Sequence, residues 1–525
     1  MFHSKAKCAD SVYYNARIHT LDPKLKSAEA LAIEAGKVVA LGDSQWVRNV
    51  AARGCEKHDL GGRTVLPGFI DCHTHFIQMG VDSLHTDLSG TKSLEDAMRL
   101  MAKASRNTPD GEWVIASSWK ESGWRDGRFI NRDDLDKCCP DHPAVAHRVC
   151  GHLSSVNSKA IALLNIDGKE SGVDKDSSGR LTGILKEHAI ARVHSATRPS
   201  RQKKMKGLLI AIRKAHSLGV TSIHDNGSVS DLETYGEAGR RGKLSVRVWF
   251  NIPSSDLDCV RSLSLPTGLG SEFFRIGGIK VFCDGALGAR SAALSEPYAD
   301  DQANSGMFVH EEQEFYEIIS KAHESGLQLA IHAIGDMGIE RAIDALDRAL
   351  GESPRRNHRH RLEHLELPSR RHLARMRKLS VVASMQPNFI GEWGGTEGMY
   401  RSRLGAVRTA RNNPFREVID SGVRLVFGSD CMPFSPIYGI HSAVNAPFPS
   451  QRITPQEAMC AYTRDGAYAS FAEQEWGSLS VGKQADFVVL GGDPFALPHG
   501  IGTIKAMMTV VGGECVYASR DTGHK

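Results

Sequence analysis

The chain has 525 residues and carries 65 Lys and Arg against 61 Asp and Glu, a net charge of +4; 41% of it is hydrophobic and 24% charged. That balance is ordinary for a globular enzyme and excludes disorder, collagen and a disulfide scaffold. The small charge gives no argument for nucleic acid or an anionic membrane as a partner, and no run approaches the roughly 18 apolar residues of a membrane span. A chain this long holds about three or four structural units.

The N-terminal stretch MFHSKAKCADSVYYNARIHTLD has no apolar run of signal-peptide length, so a cytoplasmic location is expected. The 11 cysteines are odd in number, include the adjacent pair Cys138 and Cys139, and show no C-x-x-C spacing. They read as reduced, small core residues. The first sixty or so residues alternate apolar and polar positions in short segments: VYYNARIHTL, then AEALAIEAGKVVALG with a turn at its centre. The same texture returns in GSLSVGKQADFVVLGGDP and IKAMMTVVGGECVY. Neither end can bury a good core alone, so residues 1–65 and 476–525 are expected to form one composite β-sandwich.

Between them, residues 66–475 alternate strand-like and helix-like segments. Eight strand candidates carry polar residues at or next to their C-terminal ends: TVLPGFIDCHTH, GVTSIHD, SVRVWFNI, GGIKVFCD, LQLAIHAIGD, HRLEHLE, VVASMQP and VRLVFGSD. Helical patterns such as QEFYEIISKAHESG and GIERAIDALDRAL fall between them. The expected fold class is α/β: a TIM (β/α)8 barrel whose chemistry lies at the C-terminal strand ends, with the composite sandwich attached. Residues 80–205, between the first and second strands, are too long for a loop and are expected to be an inserted α+β subdomain, a lid or a wall of the substrate pocket.

His73 and His75 lie two apart on the first strand and so point to one face. His332, His364 and Asp430 close the fifth, sixth and eighth strands. If the barrel forms, four imidazoles and a carboxylate meet at one mouth, a donor set suited to zinc, though iron, manganese, nickel or cobalt are chemically open. Lys280, inside the apolar run GGIKVFCDG, is out of place as a surface charge. It is either a neutral lysine able to become a carbamate that bridges two metals, or one half of an ion pair with a carboxylate such as Asp284.

These blocks, with CGHLSSVNSKA, LGVTSIHDNG, GGIKVFCDGALGARSAAL, ASMQP and GSLSVGKQADFVVL, make the chain resemble the amidohydrolase superfamily over nearly its whole length. Within that superfamily it is similar to the amidohydrolase-3 branch, which includes N-substituted formamide deformylase-like enzymes. The resemblance implies that His73 and His75 hold one metal with Asp430 as a further ligand. It implies that His332 and His364 serve a second metal and that carboxylated Lys280 bridges the two, although some relatives use a single ion. Asp430 would also shuttle the proton. One or two divalent ions, most simply zinc, would then bind per chain. After FGSD the chain reads CMPF where the branch commonly has tryptophan and proline, so Cys431 leaves the pocket wall there open.

A metal in such a set lowers the pKa of bound water from near 16 to roughly 7, which makes hydroxide available at neutral pH. The expected reaction is hydrolysis of a non-peptide C–N bond in a small-molecule amide, formamide or cyclic imide. Deamination or a lyase reaction at the same site is a second reading, and a non-catalytic scaffold a third. His152, Glu187 and Arg290 are candidates for touching substrate or for stabilising loops. Asp336 is expected to fix the loop after His332, and His224 to lie behind the ligands. Trp113, Trp119 and Trp124 read as pocket wall or plain core. The basic runs RPSRQKKMKG and SPRRNHRHR read as solvated outer faces, so no nucleic-acid partner is expected. A homo-oligomer follows only from the resemblance.

Overall fold

The computed structural model describes residues 9–50, 54–121, 124–125, 127–148, 153–186 and 189–520. His152 and Glu187 lie outside the described residues. Two compact units emerge, one of residues 1–76 with 211–525 and one of residues 77–210.

The larger unit contains an eight-stranded sheet. Its strands are β1 (Phe69–Thr74), β2 (Val220–Asn226), β3 (Arg247–Pro253), β4 (Phe274–Phe282), β5 (Gln328–Ala333), β6 (Arg361–His364), β7 (Val382–Met385) and β8 (Leu425–Phe427). They pair in that order and all are parallel. All eight segments read from the sequence are therefore barrel strands. Their near-continuous burial is what a parallel sheet covered on both faces requires. The helices Glu312–Glu324 and Asp336–Glu352 flank β5, where the apolar periodicity puts them.

The sheet nearly closes on itself. Past β8, Asp430 N–H donates to the His73 carbonyl at 2.8 Å and Ser429 N–H to Asp71 at 2.8 Å. Gly428 permits this approach, because a Cβ there would meet the His73 backbone nitrogen at 2.3 Å. The FGSD segment thus needs its glycine to bring Asp430 against the first strand.

Strands from both ends of the chain share one sheet. Segments Phe487–Leu490, Ala506–Val511 and Glu514–Ala518 join Thr64–Pro67, Arg17–His19 and Ser27–Ala28. A second sheet of four strands is built from residues 11–59. A common core of Tyr13, Ile33, Val65, Phe487 and Val510 buries residues from both termini, which neither end could do alone. Asp486 of the GKQADFVVL block makes a bidentate pair with Arg247 at the foot of β3, at 2.6 and 2.9 Å. The block is structural: it fastens the sheet built from the termini to the barrel.

The unit of residues 77–210 is α+β. It has a six-stranded mixed sheet and includes the helices α1 (Leu94–Asn107) and α2 (Arg132–Cys138). Trp119 and Trp124 stack at 5.8 Å in its core, with both indole N–H groups bonded to carbonyls, so they are core rather than pocket wall. No helix among the described residues is long and apolar enough to cross a membrane.

Candidate metal centre

The polar residues at the ends of β1, β5, β6 and β8 meet at the barrel mouth. His73 and His364 rings lie 4.8 Å apart, His332 and His364 rings 4.5 Å, and His73 and His75 rings 5.9 Å. Asp430 Oδ1 is 3.8 Å from His73 Nε2 and 3.4 Å from His75 Nε2. One donor atom each from His73, His364 and Asp430 falls within 4.8 Å of the others, the one such trio among the described residues. The geometry thus links the first and sixth strands through Asp430, while the resemblance had paired His73 with His75.

Most of these imidazoles have one nitrogen committed to the protein, which leaves the other as a lone pair. His75 Nδ1–H donates to the Asn226 carbonyl at 2.8 Å, and His332 Nε2–H to the Gly285 carbonyl at 3.0 Å. His73 Nδ1 lies 2.5 Å from Glu363 Oε2. Burial opposes the Glu363 charge, but Arg361 and His73 more than offset it and hold Glu363 well below the usual carboxylate range. Glu363 is therefore an acceptor, His73 Nδ1 is the donor, and His73 Nε2 faces the mouth unprotonated. A carboxylate behind a histidine fixes ring orientation and raises ligand basicity.

Arg361 fills the barrel interior behind this pair. Its guanidinium bonds both Glu363 oxygens, the Cys72 carbonyl, Ser384 Oγ at 3.1 Å and His224 Nδ1 at 2.7 Å. His224 accordingly lies behind His73 and Glu363, bonded to Arg361 through Nδ1, with its Nε2 buried and unpartnered. Arg361 and Glu363 sit two apart on β6 and share a face, a signal the sequence contained and the reading of it missed.

Among the buried atoms with no hydrogen-bond partner are four on the candidate ligands at the mouth: Lys280 Nζ, His332 Nδ1, His364 Nδ1 and Asp430 Oδ1. An unpaired buried polar atom costs about 1–3 kcal/mol, so such a cluster asks for a ligand. Burial pushes the Lys280 ammonium down to about 8 and His332 to about 3. Burial, with the neighbouring His332, also holds His364 well below its ordinary value. These rings are neutral at pH 7 and their lone pairs are free to bind a metal. Lys280 does not pair with Asp284, whose oxygens accept Ile334, Gly335 and Ala293 N–H groups at 2.8–3.0 Å. That ion-pair reading is corrected, and Asp284 rather than Asp336 fixes the loop after His332. Asp336 instead accepts from Ser295 N–H at 3.0 Å.

Backbone strain concentrates here as well. His364, Leu365, Asp430 and Cys431 have φ of 71°, 48°, 51° and 60°, left-handed conformations that tertiary structure sustains at functional sites. Cys431 Sγ accepts the His75 N–H at 3.4 Å, so the residue in the unusual CMPF segment braces a mouth histidine. Arg290 makes a bidentate pair with Asp300, 3.0 Å on each side, and Arg403 joins the same carboxylate. The second half of the run SPRRNHRHR is not a solvated face, although Pro354, Arg356 and Asn357 are exposed. His358, Arg359, His360 and Arg361 are buried, because other segments supply partners such as Glu473 for Arg359.

Imidazole nitrogens with a carboxylate oxygen, unpaired and buried, fit a divalent metal of the zinc type.

Comparison with known proteins agrees with this chemistry. The pattern of the amidohydrolase family matches residues 56–517. The protein YtcJ of Bacillus subtilis (strain 168) is 30% identical over 97% of this chain and 99% of its own length. An N-substituted formamide deformylase of Arthrobacter pascens is 27% identical over 97% of this chain and 98% of its own. A crystal structure of an uncharacterized metal-dependent hydrolase from Pyrococcus furiosus superposes with a TM-score of 0.80 at 30% identity, covering 92% of this chain and 99% of that one. The chain belongs to the amidohydrolase family and is a metal-dependent hydrolase.

Proposed function

We propose that the chain hydrolyses a non-peptide C–N bond of a small molecule, an amide, formamide or cyclic imide. The observation that carries this reading is the set of four buried, unpartnered polar atoms at the barrel mouth. The deformylase among its relatives supports the choice of bond.

His73, His75, Lys280, His332, His364 and Asp430 are the residues that would hold metal. When bound, the metal supplies Lewis acidity and a water of lowered pKa. Zinc is the ion these donors suit best. Glu363 and Arg361 keep the proton of His73 on Nδ1 and so keep its Nε2 open. Lys280 has a lone pair for much of the time near pH 8 and no competing partner. Its Nζ can attack carbon dioxide and lose a proton to give a carbamate, which supplies the mouth with an anionic oxygen. Asp430 Oδ1 has no hydrogen-bond donor to satisfy it and stands 3.4–3.8 Å from two imidazoles. It takes the proton of the attacking water and returns it to the leaving nitrogen.

Incubating the metal-loaded enzyme with N-substituted formamides, secondary amides and cyclic imides, and following amine release and ring opening, tests the proposal. Turnover of one class, lost in Asp430→Asn, supports it. Release of ammonia alone would assign deamination, and no turnover of any class would overturn the reading.

A further inference from the structure

The unit of residues 77–210 contains a sulfur cluster that the barrel chemistry does not use. Cys138 ends α2, Cys139 caps it, and Met98 lies on the neighbouring helix α1. Cys138 Sγ is 3.7 Å from Cys139 Sγ and 3.7 Å from Met98 Sδ. Consecutive residues within a helix point about 100° apart and do not face each other. Here the backbone leaves the helix at Cys139, with φ −132° and ψ 59°, and the two thiols come together.

The other partners of these sulfurs are few, and one of them is Ser105, which hydrogen-bonds Cys139. Cys138 Sγ lies 3.6 Å from the Leu135 carbonyl and Cys139 Sγ 3.7 Å from the Met101 carbonyl, both weak contacts. The surroundings are apolar: Leu94, Ala97, Met101 and Leu135 belong to the same core. Cys139 is fully buried, while Cys138 and Met98 are partly exposed and open the cluster to solvent. The hydrogen bond from Cys138 draws the Cys139 thiol below its ordinary value, and the same contact, with burial, lifts Cys138 above its own.

We propose that Met98, Cys138 and Cys139 form a binding site for one soft monovalent cation, copper(I). Two thiols and a thioether, with no imidazole or carboxylate completing the set, select a soft ion over zinc or magnesium. Metal–sulfur bonds of about 2.3 Å in a trigonal arrangement put the sulfurs ~4 Å apart, a few tenths of an ångström from the two separations Cys138 makes, with Cys139 and with Met98. A linear two-sulfur arrangement would need ~4.6 Å between Cys138 and Cys139, and so a larger movement. On binding, both S–H bonds break and their protons pass to solvent. Sulfur lone pairs fill the copper valences, and no electron is transferred. The bound ion ties α1 to α2.

The test titrates the zinc-loaded, full-length enzyme anaerobically with copper(I) held by bicinchoninate. One equivalent should leave the chelator, with a thiolate-to-copper band in the ultraviolet and slower proteolysis of residues 77–210. Met98→Leu should keep the band and weaken binding about tenfold. Cys138→Ser, at the partly exposed position, should lose both the band and the equivalent while retaining its zinc. If the double variant Cys138→Ser/Cys139→Ser folds, it should behave as the single variant does. Equal copper uptake by Cys138→Ser, or no transfer from the chelator to the parent enzyme, would overturn the site.

Discussion

Two groups of histidines lie at opposite ends of β5 and β6, and they differ in one respect. At the foot of these strands His360 Nδ1 accepts Leu329 N–H at 3.0 Å, so its Nε2–H donates to His323 Nδ1 at 2.9 Å. His323 Nε2–H in turn donates to the Ser353 carbonyl at 2.7 Å. His358 Nδ1 accepts the His360 N–H and its Nε2–H donates to the Leu379 carbonyl, both at 2.9 Å. Every ring nitrogen there is occupied. At the mouth, His332, His364 and Lys280 each keep a buried nitrogen with no partner, and Asp430 a buried oxygen. Burial alone therefore does not distinguish a ligand histidine from a structural one. Between these two groups the difference is unsatisfied hydrogen-bonding capacity, which His224 Nε2 shares behind Arg361, so it marks a ligand only where the atom also faces the mouth.

The contrast can be broken most sharply at the mouth. Asp430→Asn should lower kcat by ~10²–10⁴-fold, the usual worth of a general base, with an unchanged melting temperature. Steady-state kinetics beside a thermal melt reads both quantities. Glu363→Gln should weaken metal binding ~10–100-fold by freeing the His73 ring. It should also destabilise the fold by about 3–5 kcal/mol, because Arg361 is left buried without its counter-charge. Chelator competition and urea unfolding measure these two effects.

At the foot, His360→Leu should cost about 1–3 kcal/mol by leaving Leu329 N–H and His323 Nδ1 unpaired. Its kcat per folded molecule and its metal content should match the parent. A further effect is in acid. Burial pushes His358 down to about 4 and holds His360 well below its ordinary value, whereas both rings titrate near 6.5 when unfolded. The unfolded chain then binds protons first, so the stability from these neutral rings is complete above about pH 6.5 and is lost as the pH falls toward 4. The urea midpoint should drop across that window, with a shallower slope in His358→Gln. An identical slope would remove His358 from the account.

Much of this was legible in the sequence because barrel strands are short apolar runs with chemistry at their ends. All eight strands, the mouth residues and the misplaced Lys280 could be read that way. Arg361 and Glu363 were quoted inside HRLEHLE without a role. A charge in a buried strand looks anomalous only once its partner is known, although here the partner was two residues away. The run SPRRNHRHR misled for a related reason. Counting charges treats each as solvated, yet Glu473, Leu327 and Leu379 come from distant segments to receive Arg359, Arg355 and His358. Asp284 escaped notice as the loop anchor because its partners are backbone N–H groups, which no side-chain pattern reveals.

Elemental analysis of protein purified without chelator, read as metal atoms per chain, tests the central claim most directly. The parent and His360→Leu should each carry at least one divalent ion, near two if Lys280 is carboxylated and bridges a pair, and His73→Ala/His364→Ala should carry none. Parent protein that stays near zero after added metal, or a mouth variant that retains its full complement, would contradict the assignment of the unsatisfied donors as the metal centre.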